Sequence, residues 1–140
     1  MAKAILFVCN LNAVRSVMAE YMTNKWYDDV RAQSCGVIAG SPDGYAASVA
    51  LEHDIDITAH ESRYLSDIDL QDFDEIISFS EEAAAEISRL DLPDKIATAL
   101  WEVSDFAGVG STRDERLSAY RLVFQDIENH ILSHFGAKKG

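Results

Sequence analysis

The stretch Ala4–Val8 is apolar at every position and runs straight into Cys9, with Arg15 and Ser16 following before a helical pattern opens at Val17. A strand that is apolar on both faces belongs inside a parallel sheet, covered by helices on either side. A short loop from such a strand into a helix turns backbone N–H groups and the helix N-terminus toward one point, which makes a site for an anion. The planar fork of Arg15 can hold two oxygens of a phosphoryl group there. The same field favours the thiolate of Cys9 and makes it a nucleophile. A cation at a helix N-terminus is unfavourable unless it faces an anion, so Arg15 reads as part of the loop's chemistry.

The rest of the chain repeats the strand–helix alternation. Ser16–Tyr27 has the helix period, with Met18, Met22 and Trp26 at i, i+4 spacing. Ser16 suits an N-cap by its chemistry and suits equally well a hydroxyl partner within the loop. Val30–Cys35 is the second strand, closed by Gly36, and the turn cluster Gly40–Gly44 leads into a short helix over Tyr45–His53. Phe73–Phe79 is the third strand, Glu81–Leu90 a helix with acids in its first turn, and Lys95–Leu100 the fourth strand. The last helix runs from near Ser111 to about His134, with Leu117, Tyr120, Phe124, Ile127, Ile131 and Phe135 on one face and Gly136 at its end. Alternating elements of this kind make an α/β domain: a three-layer sandwich, its four-stranded parallel sheet carrying helices on both faces and the anion loop following the first strand. Ligands of such sheets sit at the carboxyl ends of the strands, where Cys9 lies.

Composition narrows the function classes. With 140 residues the chain fits one domain, 1–140, and its net charge of −12 argues against nucleic acid, whose partners need a basic face. No apolar run is long enough for a membrane span, and the N-terminus lacks signal-peptide character. Two cysteines, Cys9 and Cys35, make no disulfide framework and suit a reducing cytoplasm. Asp67, Asp69, Asp72 and Asp74 lack the glycine-punctuated spacing of a calcium loop and read as a solvated acidic connection; no metal and no cofactor are expected. His53, His130 and His134 read as surface or helix-end residues. Asn12 is the loop residue best suited to a left-handed backbone.

Over nearly its whole length the chain resembles the low-molecular-weight protein tyrosine phosphatases. Cys9, Arg15 and Ser16 match that family's Cys-x5-Arg-Ser loop, and Asn12 matches its loop asparagine. Ser34 and His60 stand where the family has a serine and a histidine that brace the loop, so Asn12, Ser16, Ser34 and His60 are expected to support it. Asp105 stands where the family has its general acid. The resemblance implies hydrolysis of phosphotyrosine or another aryl phosphate through a cysteinyl-phosphate, with Cys9, Arg15 and Asp105 catalytic. Asn10, Leu11, Asn12, Ala13, Val14, Arg15 and Phe106 would contact the substrate, and phosphate, sulfate or vanadate would also occupy the loop. The departures lie at Leu11 (usually glycine), Val14 (often a second cysteine), Val17 and Phe106 (usually prolines). Leu11 and Phe106 can line the pocket where an aromatic wall between Gly36 and Ser41 is missing. A related family, the thioredoxin-coupled arsenate reductases, passes a disulfide through further cysteines near the third strand, and Ser78–Leu90 holds none. The other alternative is a non-catalytic phosphate-binding module that kept the loop.

Overall fold

A computed structural model describes residues 3–38, 40–41, 43–104 and 109–138. The elements are β1 (Lys3–Leu11), α1 (Arg15–Trp26), β2 (Val30–Ile38), α2 (Gly44–Leu51), β3 (Glu75–Ser78), α3 (Glu81–Ser88), β4 (Ala97–Leu100) and α4 (Arg113–Phe135), with two single 3-10 turns before β3. The four strands form one parallel sheet in the order β2-β1-β3-β4. This is the expected α/β sandwich.

Pleating divides β1 between the two faces of the sheet. Ile5, Phe7 and Cys9 pack with α1 and α4, while Ala4, Leu6 and Val8 pack with Cys35, Ile76 and the apolar face of α3. The face of α4 read from the sequence is the buried one, with Ala119 and Val123 added, and Phe135 is partly buried. Thr112 and Glu115 form a capping box at the start of α4, which satisfies two otherwise unpaired backbone donors. Helix α2 lies against α4, where Tyr120 donates to Asp43 at 2.7 Å and Arg121 pairs with Glu52. No described helix is long and apolar enough to cross a membrane.

The sequence reading misplaced several boundaries. The first strand continues through Cys9 and Asn10 to Leu11, and the second continues through Gly36 to Ile38, because Leu11 pairs with Ile38 and Cys9 with Gly36. Gly36 is therefore inside the strand and does not end it. A Cβ at Gly36 would come within 2.4 Å of Ile38 O and 2.6 Å of Asn12 N, so this strand passes directly beneath the loop only because the residue has no side chain. The third strand is shorter than read. Asp74 stands just before it and is tied to β1 twice, its N–H donating to Ala4 O at 2.8 Å and its carboxylate accepting from the Ala4 N–H at 2.8 Å, while Asp69 accepts from Gln71 N within the acidic connection.

Candidate active site

Residues 9–16 start on β1 and end on α1, and side chains and backbone groups from four other segments hold them in place. Asn12 is the central piece, with its side chain 1% exposed. Its Nδ2 donates to Ser16 Oγ at 2.9 Å and to Ser34 Oγ at 3.0 Å. Its Oδ1 accepts from the Arg63 N–H at 3.1 Å and meets His60 Nε2 at 2.8 Å. Because Oδ1 can only accept, the His60 proton sits on Nε2. The other ring nitrogen, Nδ1, has no hydrogen-bond partner and lies 3.8 Å from Glu20 Oε2. Burial holds His60 below its ordinary pKa, with Glu20 opposing that shift and Arg63 adding to it.

These bonds order the hydroxyl of Ser16. Its oxygen already accepts from Asn12, which leaves its proton for Cys9 Sγ at 2.8 Å. The loop-partner reading of Ser16 is therefore the observed one. Val14 occupies the cap position of α1, with no side-chain cap bond. Asn12 does not take a left-handed backbone: among the described non-glycine residues only Asp54 has positive φ, at 61°. No residue of the loop needs that conformation, which explains how Leu11 and its neighbours form it without a glycine.

Arg15 is 8% exposed, and its Nη1 donates to Phe79 O and Val103 O, each at 3.1 Å. These carbonyls fix the guanidinium plane and draw the ends of the β3–α3 and β4–α4 connections to the loop. Asn10 Oδ1 accepts from Ser80 Oγ at 2.7 Å, so its side chain is tied to the N-cap of α3. One internal acceptor stands next to the sulfur: Leu11 O accepts from Cys9 Sγ at 2.6 Å and from Ala13 N at 2.9 Å. Leu11 and Ile38 are half exposed. With Asn10, Ala13, Val14, Arg15 and Asp43 they line a cavity of about 340 Å³. On the other side of Arg15, a cavity of about 380 Å³ is bordered by Glu81, Glu82 and Glu102.

The structure thus brings together Cys9 through Ser16, Ser34 and His60. Asp105 and Phe106 lie outside the described residues. Three contributors were missed from the sequence. Glu20 is buried and accepts from Ser34 Oγ at 2.8 Å and from Arg63 Nη1 at 3.3 Å, and Ser62 donates to the Asn12 carbonyl at 2.9 Å. Glu20 carried a signal: it stands four residues after Ser16 in α1 and so shares its face of the helix. Arg63 and Ser62 carried none beyond standing close to His60.

Cys35 is remote from this chemistry. It pairs with Val8 in register and packs on the opposite face of the sheet from Cys9. Burial, with a contribution from Cys9, pushes its thiol up to about 12.

A strand-loop-helix of this kind on a β2-β1-β3-β4 parallel sheet, with Cys9, Asn12, Arg15 and Ser16 at its turn, defines a class of oxyanion-handling α/β protein. The family model described as low molecular weight phosphotyrosine protein phosphatase matches residues 4–135, and the chain belongs to that family. It is 33% identical over 97 residues to the low molecular weight phosphotyrosine protein phosphatase of Sus scrofa, an alignment spanning 62% of this chain and 61% of the pig protein. An arsenate reductase structure from Archaeoglobus fulgidus is 28% identical with a TM-score of 0.76, covering 95% of this chain and 99% of that one. The structure of tyrosine phosphatase amsI from Erwinia amylovora is 25% identical with a TM-score of 0.73, covering 95% and 93%.

Proposed function

We propose that the protein hydrolyses phosphotyrosine or a related aryl phosphate monoester by way of a cysteinyl-phosphate. Cys9 Sγ attacks phosphorus in line, the bond to the aryl oxygen breaks, and Asp105 gives that oxygen its proton. Water then attacks phosphorus, Asp105 takes up its proton, and the S–P bond breaks to release phosphate and the free thiolate. Arg15 and the loop N–H groups carry the charge on the equatorial oxygens, which is the main demand of phosphoryl transfer. The single observation that most supports this reading is the directed chain from Asn12 Nδ2 to Ser16 Oγ to Cys9 Sγ, which aims a donor at the sulfur. The placement of Arg15 agrees with it, since two carbonyls hold it at the same turn. The acids beside Arg15 favour leaving groups flanked by cationic side chains. A free thiol nucleophile suits the cytoplasm.

The likeness to arsenate reductase supports a second reading, a relay of disulfides. That chemistry needs another thiol within reach of Cys9, and Cys35 faces the opposite side of the sheet. The deciding experiment is turnover of an aryl phosphate by the wild type and by Cys9→Ser. The expected result is turnover by the wild type alone, with inorganic phosphate bound by both. A Cys9→Ser variant that keeps most of the activity sinks the mechanism, and a wild type that binds phosphate without turnover leaves a binding module.

A further inference from the structure

Ser62 forms two hydrogen bonds that meet at the phosphate loop. Its Oγ donates to the Asn12 carbonyl at 2.9 Å and accepts from the Gly40 N–H at 2.8 Å. It therefore joins the loop to the connection between β2 and α2. Gly40 lies so close to the loop that a Cβ there would come within 3.1 Å of Ala13 Cβ and 3.3 Å of Leu11 Cβ. The segment that carries Ser62 is itself fixed: Arg63 O accepts from Gly36 N at 2.9 Å, and Arg63 N donates to Asn12 Oδ1 at 3.1 Å.

The consequence follows from peptide geometry. A trans peptide is planar, and its C=O and N–H point in opposite directions. Holding the Asn12 carbonyl toward Ser62 therefore turns the Ala13 N–H the other way, toward Cys9. There it donates to Leu11 O at 2.9 Å, the same oxygen that takes Cys9 Sγ at 2.6 Å. One oxygen thus lies within hydrogen-bond reach of both the sulfur and a loop amide. Of these two contacts, the one to the amide N–H is what a phosphoryl oxygen needs when its phosphorus is approached by the thiolate.

We propose that Ser62 is a positioning residue for the reaction. By holding the Asn12 carbonyl it fixes the Asn12–Ala13 peptide with its N–H turned toward Cys9, ready for a phosphoryl oxygen in the place of Leu11 O. The substrate oxygen displaces the Leu11 carbonyl by rotation of the Leu11–Asn12 peptide. Asn12, anchored at both its side chain and its carbonyl, stays in place during that rotation. This inference rests on the phosphatase reading of the loop.

The test is titration of inorganic phosphate, by calorimetry and by competition with an aryl phosphate, on the wild type, Ser62→Ala, Ser62→Thr and Asn24→Ala. Asn24 bonds α1 to the Ala32 backbone and serves as the control for plain destabilisation. Ser62→Ala loses both hydrogen bonds, and freeing the Asn12 carbonyl is expected to weaken phosphate binding about three- to tenfold, with KM rising in step. Ser62→Thr keeps the hydroxyl and restores the affinity. Asn24→Ala lowers the melting temperature and leaves the affinity unchanged. Wild-type affinity in Ser62→Ala, or equal weakening in Asn24→Ala, overturns the inference while leaving the phosphatase reading intact. A wild type that neither binds phosphate nor turns over aryl phosphate overturns both.

Discussion

Removing the side chain of Asn12 tests how much of the site hangs on one residue. In Asn12→Ala four hydrogen bonds of 2.8–3.1 Å disappear from a position 1% exposed. Their costs differ. Ser34 keeps its bond to Glu20, and Ser16 keeps its contact with Cys9, so both hydroxyls remain served. His60 Nε2–H and the Arg63 N–H lose their acceptor, and a buried donor left unpaired costs about 1–3 kcal/mol. Water entering the space left by the amide offsets part of this, so the expected loss of stability is about 2–4 kcal/mol. For a chain of this size that lowers the melting temperature by roughly 5–15 °C. Urea unfolding monitored by fluorescence gives the stability, and phosphate titration gives the site's integrity. Asn12→Asp separates the two effects: a carboxylate can still accept from His60 and Arg63 but brings negative charge toward the sulfur and the incoming anion. Stability is expected to recover in part there, and phosphate affinity is not. Asn12→Ala with less than about 0.5 kcal/mol lost, a value typical of ordinary surface substitutions, refutes the assignment of Asn12 as the loop's anchor.

Asp105→Asn is expected to slow hydrolysis of alkyl-like, poor leaving groups about 10²–10⁴-fold and of nitrophenyl phosphate much less; equal losses across leaving groups, measured in a series of phenols, point to another acid. Peroxide is expected to carry Cys9 past the sulfenic acid to the irreversible sulfinic acid, since Val14 offers no thiol and Cys35 lies across the sheet. Full recovery with dithiothreitol, together with a Cys9–Cys35 crosslink by mass spectrometry, contradicts this. In the folded protein Cys35, raised from the ordinary 9.0 to about 12, is expected to resist iodoacetamide while Cys9 reacts. The folded chain keeps that proton where the unfolded chain releases it, so this contribution to stability is complete below pH 9.0 and is lost as pH rises toward about 12. Alkaline unfolding unchanged in Cys35→Ala refutes that linkage.

The sequence was most legible where a pattern is local. The apolar run of β1, the three-four spacing of α4 and the Cys9–Ser16 turn each carry their signal within a few residues. Strand ends were harder, because Asn10 and Leu11 remain in the sheet through pairing with β2 and not through any apolar alternation of their own. Cys9, Arg15 and Ser16 announced the loop, whereas Ser62 and Arg63 did not, since their role depends on a contact about fifty positions away. Asn12 was placed among the residues that support the loop, as its side chain does, but its backbone, judged by propensity, was misread as left-handed.

That reach across the chain has a consequence for how the protein comes into being. The turn itself is complete within the first sixteen residues, but its fasteners are Ser34, His60, Ser62, Arg63, the carbonyls of Phe79 and Val103, and Ser80. A growing chain therefore displays Cys9 and Arg15 long before it has the parts that set them. Closing those loops costs entropy that the finished sheet must offset, so the nucleophile becomes organised only with the native topology. Until then Cys9 is an ordinary thiol on an unfinished strand, and catalytic competence during refolding should arrive together with, never ahead of, the joining of β3 and β4 to the sheet.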